Sequence, residues 1–514
     1  MVQRKDVIGL VAINVLIAAS GIIATMQIAW LFGANRTMDV WFISASLING
    51  IFGLTQSGQL SELFLPEYIK IKHELGRQKA FDAYCVVLNW SVLVTLIITL
   101  LGFLTSPWII DYAARGFDIN QRTSVLEIFR ALLPLVPLQI MGAVQQMLGN
   151  AEKKYGKFEI GVLVGSLISI ILVFLLHKSL GLWSLVVSQW SLQLTTLIYR
   201  HFQLKQTELK YNWIWKTEQF EIWHLIKQLG HTSVYVVVTQ IYSVTFRSLL
   251  GTLSGGVLSA YSYAEALYLR ASSLFITPVG KVFMTSISTV LVTEPAKTIH
   301  SIRAALSNYL EVYFWVLAAG LPALGHALFT LWGSDRYGAE LISLTRSILV
   351  VFSILMLFQM YSILSRKLNL ALGYFSQQYT LSILLQIFSI GVAVILIHYF
   401  GIWGAVGTVA FNTISLAIIG WYVTYKLRPN LAIFFSAKEI SYHMLSFIPA
   451  ATVGALVAYF MNGYFNFNVT SFTQKFYHGL IAVTAVSVSL GIYKALHVWT
   501  TRRSSRDEIF PETL

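Results

Sequence analysis

Apolar residues in this chain do not alternate with polar ones; they run in long blocks such as Val86–Leu104, Ile160–Leu176 and Ser382–Ile397, with the polar residues gathered between them. Each block approaches the ~20 residues that a helix needs to cross a ~30 Å hydrocarbon core. In lipid only helices and closed barrels satisfy every backbone group, and barrel strands would alternate with period two. The pattern therefore predicts an all-α polytopic membrane protein with about fourteen spans. They are placed at 7–32, 38–64, 84–110, 126–148, 158–177, 182–200, 230–252, 256–277, 305–331, 340–364, 376–398, 402–425, 440–461 and 476–497. Pro278, Lys281, Pro295 and Lys297 predict that the chain leaves the bilayer over 278–300 and continues along its surface.

Composition agrees. Of 514 residues, 56% are hydrophobic and 11% charged, where a soluble domain carries about 25% charged. The net charge of +13 would suggest nucleic acid in a soluble protein, but here the cations sit in short loops and report topology instead. Counting from an inside start, the inner segments hold the clusters Lys70, Lys72, Arg77, Lys79; Lys153, Lys154, Lys157; Arg366, Lys367; and Arg502, Arg503, Arg506. The outer segments hold only scattered cations such as Arg36, Arg115 and Arg122. Both termini are thus expected in the cytoplasm. Met1–Asp6 reads as a short basic start to the first span, without a small-residue cleavage site. Cys85 is the sole cysteine, so no internal disulfide or cysteine metal cluster is expected.

A repeat is visible. Leu176-His177-Lys178-Ser179-Leu180-Gly181-Leu182-Trp183 and Ile397-His398-Tyr399-Phe400-Gly401-Ile402-Trp403 both place a histidine before a short turn and Gly-apolar-Trp. An interval of six spans, being even, keeps the copies in one orientation, as in transporters built from two related halves; an interfacial Gly-Trp turn explains the match too. The expected organisation is a six-helix bundle over 1–201, a cytoplasmic amphipathic linker over 202–229, a second six-helix bundle over 230–427, two further spans within 428–499, and a cytoplasmic tail over 500–514. Trp213, Trp215 and Trp223 among Lys and Glu suit a linker at the bilayer surface.

Charges inside spans need a reason, since each costs roughly 2.5–3.5 kcal/mol at the bilayer centre. At ~1.5 Å per residue from the turn Leu253–Gly256, Arg247 lies roughly 10 Å deep and Glu265 roughly 15 Å, with Arg270 deeper still. Arg247 and Arg270 are candidates to bind the phosphates of a lipid carrier, with Glu265 as a counter-charge; an Arg247–Glu265 pair that only locks the hairpin is the alternative. Gln56, Gln59 and Glu62 recur every three residues on one face, with Asn49 in the same span, and suit sugar hydroxyls or helix packing. Asp39, at the start of its span, is a candidate helix cap or gate. Gln27, Glu311 and Arg346 are lesser candidates, Arg346 being explained by snorkelling. His177, His398 and His443 sit near boundaries and are expected to pack rather than bind metal. Neither a Gly-Lys-Ser/Thr phosphate loop nor His-Glu-x-x-His occurs, so no enzymatic activity, metal or cofactor is expected.

Leu31-Phe32-Gly33-Ala34, Met38-Asp39-Val40-Trp41-Phe42, Phe64-Leu65-Pro66, Ser106-Pro107-Trp108-Ile109-Ile110 and Arg115-Gly116-Phe117 agree in order and spacing with the MurJ/MviN lipid II flippases. The N-terminal third of the chain therefore resembles that family of the multidrug/oligosaccharidyl-lipid/polysaccharide exporter superfamily. Weaker similarity continues through Ile226-Lys227-Gln228-Leu229-Gly230, Thr239-Gln240 and Tyr263-Ala264-Glu265. The resemblance implies two bundles around a central cavity, with two extra C-terminal helices cradling a polyprenyl tail. It also implies a bacterial cytoplasmic membrane. The family's cavity cations are replaced here: Ile17-Ala18 and Ala24-Thr25 stand in the first span, Phe52-Gly53 in the second, and Ala266 where the family has Arg.

The expected function is a flippase for a polyprenyl-phosphate-linked saccharide, either a polysaccharide or exopolysaccharide repeat unit or a peptidoglycan lipid precursor. Its expected partners are that substrate, membrane lipids, a coupling ion (H+ or Na+) and polysaccharide-assembly proteins, with no nucleic acid. The alternative is a MATE-like cation-coupled drug exporter, which predicts a cavity dominated by acidic residues. A membrane-embedded glycosyltransferase predicts a large carboxylate-rich loop, which the sequence lacks.

Overall fold

A computed structural model describes residues 4–55, 57–152, 155–205, 211–218, 220–270, 272–273, 337–431, 437–465 and 484–498, with isolated residues between 274 and 336 and at 481. The described chain is helical almost throughout. Its helices are α1 (Arg4–Phe32), α2 (Arg36–Leu54), α3 (Ser57–Leu75), α4 (Arg77–Ala113), α5 (Ile119–Leu132), α6 (Leu135–Ala151), α7 (Tyr155–Leu180), α8 (Trp183–Lys205) and α9 (Ile222–Gly251). They continue with α10 (257–270), α11 (Ala339–Ala371), α12 (Phe375–Leu427), α13 (Ala437–Phe465) and α14 (484–498). Among the described residues, nine helical stretches are long and apolar enough to cross a membrane. One of them, Ser376–Leu427, turns back at Gly401 (φ 56°, ψ −129°), so it comprises the two spans expected there. Gly401 and Gly181 (φ 53°) are the two glycines of the repeated Gly-apolar-Trp motif, and both take the left-handed region that glycine enters without steric cost. Trp183 and Trp403 are both exposed, as an interfacial position requires.

The helix of the expected span 38–64 breaks between Leu54 and Ser57, where the Thr55 hydroxyl bonds back to the Phe52 carbonyl (2.7 Å). The helix of the expected span 126–148 is interrupted at Leu133 and Pro134, because Pro134 has no N–H to continue the α5 ladder, yet Ile119–Ala151 remains one stretch long and apolar enough to cross a membrane. The linker is shorter than expected, as α8 runs on to Lys205 and α9 begins at Ile222. Its described part is extended rather than helical and is stapled to α4. Asn89 Nδ2 donates to Ile214 O (2.8 Å), Trp90 Nε1 donates to Trp215 O (3.0 Å), and Trp215 stacks edge-on against Trp90. The surface run expected over 278–300, the basic pair Lys153 and Lys154, and the tail over 500–514 lie largely or wholly outside the described residues.

Contacts group the chain into two compact units, one of Met1–Ser262 with Tyr379–Val409, the other of Tyr263–Gln378 with Ala410–Leu514. The core of the first contains Phe64, Tyr68, Phe81, Tyr84, Val144 and Phe220. α4, with 37 residues, runs roughly 55 Å between a basic end (Lys72, Arg77) and an opposite end where Arg36 reaches Gly116 O. In the second unit, Trp421 is fully buried on Tyr361, and its Nε1 donates to Tyr361 O (3.2 Å). His443 is buried there too, with Nδ1 2.8 Å from the Tyr493 hydroxyl and its ring stacked on Phe314 and His497, which is a packing role.

Candidate functional site

The opposite end of the first unit is held by an arginine and an aspartate one helical turn apart. Asn35 caps α2, its Oδ1 accepting from Met38 N (3.0 Å). That leaves Arg36 and Asp39 free to act outside their own helix while sharing one face of it, 3.6 Å apart. Arg36 lies over the Phe117 ring and donates to the carbonyls of Gly251 (2.9 Å), Leu253 (3.3 Å) and Gly116. Asp39 is fully buried and accepts from the backbone N–H of Gly256 (2.8 Å), the backbone N–H of Ser259 (2.8 Å) and the Ser259 hydroxyl (2.6 Å). A helix C-terminus exposes carbonyls and a helix N-terminus exposes N–H groups. The cation thus closes the end of α9, and the anion closes the start of α10. Asp39 is therefore a cap, but of α10 and not of its own helix, whose cap position Asn35 already fills.

Beyond this clamp α10 changes character. Residues 257–264 are all buried, whereas Glu265 and Ala266 are half-buried and Leu269 and Arg270 exposed. These four positions form one stripe at helical spacing, with Glu265 and Arg270 about 7.5 Å apart along the axis. The other face is fixed: the Tyr268 hydroxyl (2.5 Å) and the Ser272 hydroxyl (2.8 Å) both donate to Gln359 Oε1 of α11. Among the described residues Arg270 forms no ion pair. Arg247, half-buried in α9, donates to the Ser262 hydroxyl at 3.4 Å. It belongs to the first compact unit, and Glu265 and Arg270 to the second.

The other expected residues divide. Asn49 is exposed on α2. Gln27 instead ties two helices together, Nε2 donating to Ile170 O of α7 (2.9 Å) beside a Ser20–Ser166 hydroxyl pair (2.9 Å). Gln56 and the side chains of Gln59 and Glu62 lie outside the described residues; Gln59 and Glu62 belong to α3 and Asn49 to α2. Glu311 and Arg346 are exposed. No group of three metal-ligating residues occurs among the described residues.

The chain matches the family profile described as "MurJ: Lipid II flippase MurJ" over residues 28–479. It belongs to the MurJ lipid II flippase family. Members of this family are multi-pass membrane transporters and not enzymes. Curated relatives include the probable lipid II flippase MurJ of Buchnera aphidicola, 23% identical over 284 residues, and that of Thermotoga maritima, 24% identical over 136. The matched region covers 54% of this chain and 53% of the Buchnera protein, and 26% and 28% for the Thermotoga pair, so the chain spans about half or less of the curated relatives' length. A solved lipid II flippase MurJ in an inward closed conformation superposes with TM-score 0.72 at 18% identity, covering 99% of this chain and 100% of that one. An inward-facing MATE-family multidrug transporter follows at 0.64 and 15%, covering 82% and 98%. A Vibrio cholerae MATE transporter gives 0.59 and 14%, covering 82% and 95%. At such identities the superpositions establish the MurJ/MATE-like fold and not the cargo.

Within that fold, the positions where the resemblance implies cavity cations do other work here. Ala18 is buried, and the Thr25 hydroxyl bonds back to Gly21 O (2.9 Å). Gly53 leaves room for the Gln240 side chain of α9, which a β-carbon would strike. Ala266 sits one turn before Arg270 on the open stripe of α10.

Sequence reading missed several residues that the structure makes prominent. Arg36 counted only as an outer cation. Arg200, at the end of the span 182–200, is buried and donates to Gly142 O (2.7 Å) and Phe158 O (3.3 Å), joining α8 to α6 and α7. Glu152, just past α6, pairs with Lys72 (2.9 Å) and Arg77 (3.0 Å) and accepts from the Tyr68 hydroxyl (3.0 Å). Burial alone would raise its pKa, but the bonds from Lys72 and Tyr68 and the charge of Arg77 outweigh burial and hold the carboxyl below its ordinary value.

Proposed function

We propose that this protein moves a polyprenyl-phosphate-linked saccharide across the bacterial cytoplasmic membrane by alternating access, with both termini cytoplasmic and its two six-helix halves as the moving parts. The observation that carries the reading is the open stripe of α10, where Arg270 stands exposed and without an ion pair among the described residues while the reverse face is locked to α11. A guanidinium so placed matches phosphate oxygens in a planar, two-bond geometry. Glu265 on the same stripe moderates its charge, Arg247 is a second phosphate contact, and Asn49 offers an amide to sugar hydroxyls. Asp39 and Arg36 act as the outer latch, releasing the α9–α10 turn when the substrate leaves. The uncharged residues at 17–18, 24–25 and 52–53 favour the repeat unit of a surface polysaccharide over the peptidoglycan precursor.

The test is headgroup translocation in proteoliposomes, comparing a polyprenyl-pyrophosphate-linked neutral oligosaccharide with lipid II. Arg270→Ala should abolish transport at unchanged protein level, and Arg270→Lys should restore only part of it. Normal transport by Arg270→Ala would overturn the assignment, and preference for lipid II would overturn the polysaccharide reading alone.

A further inference from the structure

Near the basic end of the first unit lies a cavity of about 670 Å³ between α4, α6, α8 and the linker. Its two ends differ in chemistry. Toward the middle of α4 the wall is Val92, Leu93, Leu96 and Met141, and Leu93 and Leu96 are exposed on the outside of the helix. Toward the end of α8 the wall is His201, Lys205, Tyr211 and Trp213, all exposed. Among the described residues no carboxylate lines the cavity. The nearby Asp82 is engaged by the side chain of Asn212 at 2.8 Å. Between the two ends sits Gln145. It is 7% exposed, lines the cavity, and its Oε1 has no hydrogen-bond partner among the described residues.

We infer that this cavity binds an anionic glycerophospholipid of the phosphatidylglycerol class. Each part of the lipid has a counterpart in the wall. The rise of α4 from Tyr84 to Leu96, about 18 Å, is the length of a common acyl chain, and its apolar half opens toward lipid. Lys205, with His201 beside it, stands where a phosphate at the bilayer surface would lie, and surface anionic lipid is drawn to such cations. Tyr211 and Trp213 are residue types that favour the headgroup layer. Phosphatidylcholine and phosphatidylethanolamine are zwitterionic, whereas a glycerol headgroup leaves the phosphate's net negative charge for Lys205. The linker completes the wall: Tyr211 donates its hydroxyl to Asn89 Oδ1, and Asn89 donates to Ile214 O. A bound lipid would thereby brace the linker against α4.

The test is native mass spectrometry of the full chain equilibrated in detergent with equal amounts of dioleoyl phosphatidylglycerol, phosphatidylethanolamine and phosphatidylcholine. One phosphatidylglycerol should be retained in preference to the other two. Lys205→Ala, at an exposed helix end where folding is not at risk, should lower that retention about five-fold and leave phosphatidylcholine unchanged. Lys178→Ala, an exposed lysine at the end of α7 remote from the cavity, should change nothing. Equal retention of the three lipids by the wild type, or phosphatidylglycerol retained by Lys205→Ala as by the wild type, would overturn the site. So would an equal loss in Lys178→Ala, since that would reduce the effect to net charge.

Discussion

At one end of α4 a carboxylate is satisfied almost wholly by backbone; at the other, by cations. Asp39 takes two backbone N–H groups and one hydroxyl at the start of α10, with Arg36 at 3.6 Å as a neighbour shared with the α9 carbonyls. Glu152 takes an ammonium, a guanidinium and a phenol, from side chains that are themselves partly exposed. The difference is one of rigidity. Backbone N–H groups at a helix start cannot follow a departing acceptor, so the Asp39 clamp is either made or broken. The Lys72 and Arg77 side chains have many rotamers and reach a neighbouring water at little cost, so the Glu152 cluster loosens by degrees. A joint that must open as a unit is better built the first way.

The largest effect should come from removing the Asp39 carboxylate. Asp39→Ala strands two buried N–H donors and a hydroxyl and leaves Arg36 without its partner. Each stranded donor costs about 1–3 kcal/mol, and breaking a buried charged contact costs about 3–5. Thermal unfolding in detergent should show a loss of about 3 kcal/mol or more, and Asp39→Asn, which keeps one acceptor, roughly half of it. A loss below that of Glu152→Gln would reverse the ranking of the two ends.

Second in size is Gly116→Ala. A β-carbon there would lie 2.6 Å from Thr252 Cα and closer still to the Gly251 carbonyl, so backbone meets backbone in the clamp. Overpacking of this kind costs about 1–3 kcal/mol. At the basic end, Gly149→Ala meets the buried Phe158 ring at 2.6 Å, side chain rather than backbone, and should cost less. Melting curves of the two variants side by side check whether the clamp is the stiffer joint.

How far the sequence revealed these features depends on how local their causes are. Helices follow from apolar runs, and the turn at Gly401 from a glycine between two such runs, so both are legible one segment at a time. The break at Leu133 was not, although Pro134 and Pro137 stood in plain view, because apolar residues on both sides made one block of the right length. Asp39 was visible as a charged residue at a helix start, but Ser259, which explains it, is 220 positions away. The bond from Gln27 was not foreseen, because its partner is the backbone carbonyl of Ile170, a group that every residue carries and no pattern marks. Glu152 and Gln145 gave no signal at all. One followed a helix into a loop rich in lysine, and the other sat in the pair Gln145-Gln146, which reads as an ordinary polar step. Arg270 stood out because a cation inside an apolar span is costly.

Third comes the pH dependence of the basic end. The Glu152 carboxyl is held below its ordinary value, so its contribution is fully present above the unfolded value, about 4.3, and is lost as pH falls through the folded one. At pH 7, Glu152→Gln should cost about 1–2 kcal/mol, discounted for the exposure of Lys72 and Arg77. The gap between wild type and variant should hold steady from pH 7 to about pH 5 and close below about pH 4. Unfolding measured across that range decides it, and a gap that widens on acidification would mean that burial, not the cations, controls this carboxyl.

The smallest effect sharpens the comparison from within the opposite end itself. Asp111 and Arg122 also form an ion pair there, at 3.8 Å, but Asp111 is 72% exposed. A solvated pair of that geometry is worth about 0–1 kcal/mol, so Asp111→Asn should shift unfolding by less than about 0.5. Arg122→Ala should cost more, about 1 kcal/mol, because Arg122 also donates to the carbonyls of Phe117 (3.0 Å) and Arg115 (2.9 Å), which shape the loop carrying Gly116. The two variants share one ion pair and differ only in what else is lost. If they melt alike, the pair itself holds the loop; if Arg122→Ala is the weaker, the backbone contacts hold it, as they hold Asp39.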